Sequence, residues 1–376
     1  MIAAVLLLAL APAQDAPQPS RAAMVRGAVD WLVANQNPDG SWGSHHSPRP
    51  IEVLADVPGS HEAFRYATTG LCVSALHDSP LHTSESMAAA ERGLDYLVEN
   101  WNVKRPSGME HYSVWAFGYG LRGLAERLIA TPKHPRAAEI GAACKSLIAK
   151  LGRYQALDGG WGYLSLDEVP TFQPSFTSMS FTTATILVGL ERAQRAGIEV
   201  PQAMVDRAVA AVARCMTPTG AFTYGELWNK MPVAGINLRK GAACRTPACQ
   251  EALILHGREF AAADQRRALE DLLVDCARFQ ELGLRRPIPH ESHYQISGYF
   301  YLYGHAYAAM LQERLTRRDQ LRYAPFFEKA LARTRQPDGS FWDYPLYSYH
   351  KPYGTAYALI ALARLPRDQV VEIEGG

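Results

Sequence analysis

Hydrophobic and polar positions along this chain follow the three- and four-residue steps of amphipathic helices. Six segments keep a charged face beside their apolar one, which predicts helices that are half exposed to solvent. These segments are residues 20–36, 84–101, 134–155, 201–216, 262–280 and 323–336. Two-residue alternation, the pattern of a half-buried strand, persists nowhere in the sequence. The pattern therefore predicts an all-α protein.

A second set of helical segments alternates with the first and is less polar. Its members are rich in Ala, Gly, Ser, Thr and aromatic residues on nearly all sides, which is typical of helices enclosed by other helices. They are residues 64–78, 111–128, 176–193, 246–257, 294–312 and 353–365. The alternation predicts helical hairpins, each with an amphipathic outer helix and an apolar inner helix.

The hairpins recur about every sixty residues, as the glycines of the connecting loops indicate. These glycines are Gly40, Gly108, Gly160, Gly220, Gly283 and Gly339. A repeat of this kind cannot bury its apolar face alone and needs its neighbours. Six hairpins that close on themselves form an (α/α)6 toroid, with parallel inner helices around a central cavity. An open solenoid is the alternative, but it usually carries polar capping repeats, and neither end has them.

Three of the loops share a turn that contains an aromatic residue. They are QNPDGSWG at 36–43, QALDGGWGY at 155–163 and RQPDGSFWDYP at 335–345. The Asp-Gly pair supplies a tight turn. The aromatic residues are expected to pack between successive hairpins. They are Trp42, Trp161 and Phe341 or Trp342.

The pattern Q-x-x-D-G-x-W resembles the QW motif of the squalene cyclase and protein prenyltransferase β-subunit superfamily. The match is regular at Gln36, Asp39, Gly40 and Trp42 and less regular in the other two turns. As a repeat pattern, the resemblance covers the whole mature chain. It implies the same toroid, as a single α/α-toroid domain over residues 14–376.

The first residues, MIAAVLLLALAPA, are predicted to be a secretory signal peptide over residues 1–13, cleaved near Ala13. No later stretch is long and apolar enough to span a bilayer. The mature protein is therefore expected to be soluble and either secreted or periplasmic. Export permits disulfide bonds, and Cys244 and Cys249, the only close pair of cysteines, are the candidate bridge.

Charge and acidic motifs exclude some functions. With a formal net charge of +1, the chain offers no basic stripe for nucleic acid. The D-x-D-D motif with which squalene–hopene-type cyclases protonate an alkene is absent, and so is D-D-x-x-D. The acidic cluster LEDLLVDC at 269–276 is interpreted as the solvent-facing side of an outer helix. Cyclisation by the D-x-D-D mechanism is therefore not expected.

Histidines recur at the starts of the predicted inner helices. They are His61, His111, His290, His293 and His350. Parallel inner helices begin at one end of the ring, so these imidazoles are expected to gather at one mouth. Neutral His is a common zinc ligand, and catalytic zinc takes three protein ligands; the alternative is histidines that only make hydrogen bonds. His61, His111 and Tyr294 are the candidate catalytic residues.

The resemblance to prenyltransferase β-subunits implies a specific metal site. Those enzymes hold zinc with a D-x-C at the start of one inner helix and a His at the start of another. ESHY at 291–294 and YHKPYG at 349–354 begin the fifth and sixth inner helices of this chain. Carried over, the motif makes Glu291, His293 and His350 the expected ligands of Zn2+, with Glu in place of Asp and His in place of Cys.

Aromatic and basic residues complete the expected ligand site. They are Arg65, Tyr112, Trp115, Tyr299, Tyr353 and Lys351. The rings suit an isoprenoid chain or a sugar stacked flat, and the cations suit a diphosphate or carboxylate. The leading hypothesis is a protein that binds or transforms an isoprenoid or other hydrophobic ligand in the cavity. The alternatives are a polysaccharide lyase or hydrolase, in which His or Tyr takes a proton beside a basic residue, and a non-catalytic binding protein.

Overall fold

The structure is a computed structural model that describes most of the chain. The predicted signal peptide lies outside the described residues and stays a prediction. The described residues are 18–44, 58–103, 112–162, 178–226, 231, 233–284, 294–344 and 350–366. Of residues 58–60 and 299, the backbone alone is described. Within these ranges, no helix is long and apolar enough to cross a membrane.

Two concentric sets of helices follow the predicted alternation. The outer helices are α1 (Arg21–Ala34), α3 (Ser84–Glu99), α5 (Ala137–Tyr154), α7 (Gln202–Arg214), α10 (Ala262–Glu270) with α11 (Ala277–Gly283), and α13 (Arg317–Ala332). The inner helices are α2 (Pro58–Asp78), α4 (Ser113–Ala130), α6 (Ser180–Arg195), α9 (Thr246–Leu255), α12 (Tyr301–Gln312) and α14 (His350–Ala363). A short helix, α8 (Arg239–Ala242), precedes α9.

The inner helices form a closed ring. Helix α2 packs on α4 and α4 on α6, and the contacts continue through α9, α12 and α14 back to α2. Outside them, α1 contacts both α3 and α14, which closes the seam between the first and the last hairpin. An open solenoid would lack the contacts between α14 and the first hairpin. The predicted (α/α)6 toroid of six helical hairpins is therefore confirmed.

Burial follows the pattern of the sequence. Every residue of the inner helix α12 is buried, whereas the outer helix α7 buries a single face. Side-chain oxygens of Ser20, Thr83 and Thr316 accept backbone N–H groups at the starts of α1, α3 and α13. Such caps satisfy N–H groups that have no partner within the helix.

The fifth outer position differs from the prediction of one helix over residues 262–280. A π-helical turn, Asp271–Asp275, separates α10 from α11. Asp271 is 5% exposed and accepts a hydrogen bond from Nε of Arg239 at 3.0 Å. The interpretation of this acidic cluster as a solvent-facing surface was therefore wrong for Asp271.

The predicted disulfide bond between Cys244 and Cys249 was also wrong, because all six cysteines are free and buried. Sγ of Cys244 donates to Oε1 of Gln280 in α11 at 3.1 Å, whereas Cys249 lies beside Ser180 of α6. The two thiols thus face different helices. Burial raises the pKa of both, which keeps them protonated and unreactive.

Candidate functional site

The Asp-Gly turns are fastened to the inner helices by a repeated set of hydrogen bonds. The backbone N–H of Trp42 donates to Oγ1 of Thr69 in α2 at 3.0 Å, and its indole N–H donates to the Leu32 carbonyl at 2.8 Å. Trp161 repeats both bonds, with Oγ1 of Thr183 in α6 as the acceptor at 2.9 Å. Both indoles are fully buried.

The last turn keeps the backbone bond without an indole. The N–H of Phe341 donates to Oγ1 of Thr355 in α14 at 2.9 Å. Phe341 is fully buried, whereas Trp342 is half-buried, so Phe341 is the aromatic residue that packs between hairpins. The turn aromatics therefore belong to the scaffold, as the sequence predicted.

Arg65 and Lys351, the predicted anion-binding cations, pair with aspartates of these turns. Nη2 of Arg65 donates to Oδ2 of Asp39 at 2.5 Å, and Nζ of Lys351 donates to Oδ2 of Asp338 at 2.6 Å. Burial raises the pKa of Asp338, but the hydrogen bonds from Lys351 and Ser340 outweigh burial and lower the pKa to about 2. Both cations thus stabilise turns at the mouth, the end of the ring where the inner helices begin.

The sequence carries a signal for these ion pairs. Arg65 and Lys351 each lie four residues before the Thr that binds the turn, in RYATT and KPYGT. Four residues are about one helical turn, so cation and Thr face the same loop. In the third hairpin Met179 takes the place of the cation, and the Ser178 N–H donates to Oδ2 of Asp158 at 2.6 Å instead.

Three half-buried aromatic side chains lie near the starts of three neighbouring inner helices. They are Phe64 on α2, Trp115 on α4 and Tyr353 on α14, and we call them the mouth aromatics. Phe64 packs on Tyr112 with ring centroids 4.8 Å apart, and Trp115 stacks on Tyr119 at 5.8 Å. All three are partly exposed to solvent, whereas Tyr112 and Tyr119 are buried.

Beneath the mouth aromatics lies a buried tyrosine cluster, formed by Tyr119, Tyr303, Tyr307 and Tyr357. The hydroxyls of Tyr119 and Tyr357 bond to each other. Those of Tyr303 and Tyr307 contact Oγ1 of Thr185 at 3.2 and 3.3 Å. Burial raises the pKa of all four phenols. The tyrosine cluster is therefore a neutral floor, whose hydroxyls are committed to one another and to α6.

Buried aromatic packing continues along the ring beyond Trp115. The Trp115 ring lies 6.0 Å from that of Phe181 on α6. Phe181 in turn meets Tyr224 at 5.1 Å and Phe300 at 5.2 Å, both edge-on. Such edge-to-face contacts are the preferred geometry of packed aromatic rings. Trp115 therefore rests against buried aromatic rings that join α4 to α6.

His350, a predicted zinc ligand, opens α14 and is buried. Its Nδ1 lies 2.5 Å from the Tyr353 hydroxyl, and its ring packs on Tyr344 with centroids 4.8 Å apart. Burial holds the pKa of His350 well below its ordinary value. The imidazole is therefore neutral, the form that binds zinc. The other expected ligands, Glu291 and His293, lie outside the described residues; within those ranges no cluster of three His, Cys, Asp or Glu residues suits a metal ion.

The remaining predicted site residues fall in different places. His61 is buried in the first turn of α2. Tyr112 is buried just before α4, with a left-handed φ of 69° that is uncommon for a non-glycine residue. Tyr294 packs edge-on against Phe279 of α11 at 5.2 Å. His111 and the side chain of Tyr299 lie outside the described part, so their predicted roles stay predictions.

At the opposite end of the ring, the inner helices end in paired charges. Nε of Arg122 donates to Oε1 of Glu126 at 2.9 Å, and Nη2 of Arg364 donates to Oδ2 of Asp78 at 2.6 Å. Burial raises the pKa of Glu126, but Arg122 and Arg192 outweigh burial and lower it to about 2. Cations also favour helix C-termini. Ion pairs therefore occur at both ends of the ring, and the mouth differs by its half-buried aromatic side chains.

Comparisons with known proteins agree with this architecture. Solved structures with a similar fold include the Lin0763 protein from Listeria innocua (12% identity, 92% of this chain and 97% of that one, TM-score 0.54). Another is a possible GH105 family member from Salmonella enterica (14%, 97% and 98%, 0.53). At these identities the likeness concerns the fold alone. A comparison with curated protein sequences finds no significant match.

A family description matches more specifically than these structures do. The squalene-hopene cyclase C-terminal domain matches residues 3–223, which is more than half of the chain and includes two of the three Asp-Gly turns with their tryptophans. The resemblance inferred from the QW-like motif is therefore confirmed. The protein belongs to the squalene-hopene cyclase C-terminal domain family.

Proposed function

We propose that the protein binds an isoprenoid or similarly apolar ligand at the mouth aromatics. One observation carries the proposal: Phe64, Trp115 and Tyr353 come from three neighbouring inner helices and stay half-buried above a floor of buried rings. Aromatic faces offer large apolar contact areas and stabilise cationic carbon. Membership in the squalene-hopene cyclase C-terminal domain family supports the same class of ligand.

The charges near the mouth favour an apolar ligand over an anionic one. Arg65 and Lys351 already neutralise Asp39 and Asp338. A diphosphate or a uronate would have to displace these carboxylates, and with them the contacts that fasten the turns. The alternative of a polysaccharide lyase or hydrolase therefore has only the shape of the toroid in its favour.

Binding at the mouth aromatics does not require that a reaction follow. His61, His111 and Tyr294 remain the candidates for proton transfer, and the sequence has no D-x-D-D motif. A binding protein without catalysis would use the same aromatic surface. Binding is therefore the property to test first.

Zinc at Glu291, His293 and His350 is a second proposal, which the neutral imidazole of His350 supports. Elemental analysis of protein purified without a His tag is expected to give about one equivalent of zinc, as for a single three-ligand site. The Glu291→Ala/His350→Ala double variant should lose it. Protein purified without chelator that holds no zinc, and takes up none on titration, would contradict this proposal.

Equilibrium dialysis with farnesol tests the binding proposal. We expect Trp115→Ala to weaken farnesol binding about tenfold, which corresponds to roughly 1.4 kcal/mol of lost aromatic contact. Trp101→Ala is the matched control, because this indole packs near Lys150 of the outer helix α5. The control should bind farnesol like the wild type.

Two outcomes would contradict the proposed ligand class. One is equal farnesol affinity in the Trp115→Ala and Trp101→Ala variants, which would mean that Trp115 makes no specific contact with the ligand. The other is binding of uronate oligosaccharides, with none of farnesol, by the wild-type protein. Circular dichroism of both variants checks that the helical ring is retained.

A further inference from the structure

One buried carboxyl group near the mouth has no counter-charge among the residues that the structure describes. Asp343 is 1% exposed, and its Oδ2 accepts the backbone N–H of Leu302, the second residue of α12, at 2.9 Å. Its Oδ1 has no hydrogen-bond partner within the described residues. Packing is tight, because a Cβ atom on Gly298 would lie 2.6 Å from the Asp343 carbonyl oxygen. The carboxyl group thus caps the helix that carries Tyr303 and Tyr307.

The surroundings of Asp343 favour its neutral form. The titratable groups that face it are the Cys244 thiol, before α9, and the Tyr301 phenol at the start of α12; burial and this carboxyl raise the pKa of both. On α11, Glu281 is paired with Arg333 at 3.1 Å. Burial raises the pKa of Asp343 to about 7, since no cation in the described part of the chain compensates for it.

Asp343 is linked to the mouth through its neighbour in sequence. Tyr344 is fully buried and packs on His350, whose Nδ1 lies 2.5 Å from the hydroxyl of Tyr353. We propose that Asp343 is a positioning residue for the mouth: its neutral carboxyl holds α12 against the last turn, and ionisation of the carboxyl loosens this junction. The consequence for ligand binding rests on the function proposed above.

The expected pH dependence follows from the sign of the pKa shift. In the closed state the Leu302 N–H is bonded to Asp343, and in the open state this bond is broken. The carboxyl is harder to ionise in the closed state, so it stabilises that state at low pH. This stabilisation is lost as pH rises. The opening constant of the Leu302 N–H should therefore increase about tenfold per pH unit between about pH 4 and pH 7, then level off. Hydrogen–deuterium exchange without ligand, corrected for the intrinsic rate, measures this constant.

Asp343→Asn should remove the pH dependence, because its amide oxygen still accepts the Leu302 N–H and does not ionise. Asp338→Asn is the matched control in the same turn. Since Asp338 titrates only in acid, that variant should keep the wild-type slope between pH 5 and pH 7. A pH-independent opening constant in the wild type overturns the proposal, even if Asp343→Asn fails to fold. Parallel slopes in the wild type and Asp343→Asn overturn it as well.

Farnesol dialysis at pH 6 and pH 8 then tests the consequence for the mouth. The wild type is expected to bind more weakly at pH 8, and Asp343→Asn to bind equally at both values. Equal wild-type affinities at the two values would overturn the link to the mouth. If farnesol does not bind at either pH, the proposed function fails, while the exchange experiment still decides the role of Asp343.

Discussion

At the scale of single residues, the cations of the mouth act on the scaffold. Besides its ion pair, Arg65 lies over the Tyr96 ring, 5.6 Å from the centroid. Nζ of Lys351 lies 5.5 Å from the ring centroids of both Trp31 and Trp342. Cation–π contacts of this kind stabilise modestly when exposed. A basic residue at a helix start is thus not by itself a sign of an anion site.

The pair of Lys351 with Asp338 should appear in the acid stability of the protein. Because the folded pKa of Asp338 is lowered to about 2, its stabilising effect is present above the unfolded pKa and is lost as pH falls towards 2. Between pH 5 and pH 2, the free energy of unfolding should fall further in the wild type than in Asp338→Asn. We expect this difference to be less than about 1 kcal/mol, since the pair is partly solvated. Urea unfolding measures the difference; identical pH profiles would contradict it.

His305 should produce a larger effect at milder pH. It is a core histidine, 2% exposed, whose Nδ1 contacts the Tyr301 carbonyl at 2.7 Å. Burial lowers the pKa of His305 to about 4. Below about pH 6.5, its imidazole is therefore protonated in the unfolded chain but stays neutral in the folded one. The linkage predicts a loss of about 2 kcal/mol of stability between pH 7 and pH 5. The His305→Phe variant cannot titrate at this position, so its loss of stability between pH 7 and pH 5, measured by urea unfolding, should be smaller by about 2 kcal/mol. An equal loss in the variant and the wild type would contradict a neutral, buried His305.

At the scale of elements, periodicity was sufficient to predict the helices and their alternation. It missed the break after Glu270, because a π-turn keeps its apolar residues close to helical spacing and leaves little trace in the pattern. It also missed how each turn is held. The acceptors lie on the inner helices, away from the turns in sequence, so their role depends on a tertiary contact. They are Thr69, Thr183 and Thr355.

These threonine contacts can be tested with two adjacent residues. Thr183→Val leaves the buried N–H of Trp161 without its acceptor, which should cost about 1–3 kcal/mol of unfolding free energy. Thr183→Ser should restore most of the stability. Thr182→Val is the control, because Oγ1 of Thr182 is buried with no hydrogen-bond partner among the described residues, so its loss should be neutral or stabilising. Equal destabilisation by the two valine variants would refute the proposed role of the turn bond.

At the scale of the whole molecule, the closed ring could be predicted because each of the six hairpins has apolar faces that need a neighbouring hairpin on either side. The functional end was only partly predictable. The sequence places Trp115 and Tyr353 in the expected ligand site but does not indicate Phe64. It also assigns Arg65 and Lys351 to a ligand, whereas the structure pairs them with Asp39 and Asp338. Sequence spacing locates a helix start without telling whether a long side chain turns inward or towards the neighbouring loop. That choice depends on the aspartates of the turns, which only the three-dimensional fold brings into reach.

Closure itself can be tested at the seam. Gly27 of α1 faces the last turn, and a Cβ there would lie 3.3 Å from Cα of Gly339. The larger side chain of Gly27→Val would push the first and last hairpins apart, which should cost about 1–3 kcal/mol as overpacking does. Gly141→Val on α5 is the matched control, since its nearest neighbour, Cδ1 of Ile198, lies 3.7 Å away. Thermal unfolding should show a lower Tm for Gly27→Val alone, still in one transition. A Tm equal to that of the control would mean that the seam between α1 and α14 contributes little to the ring.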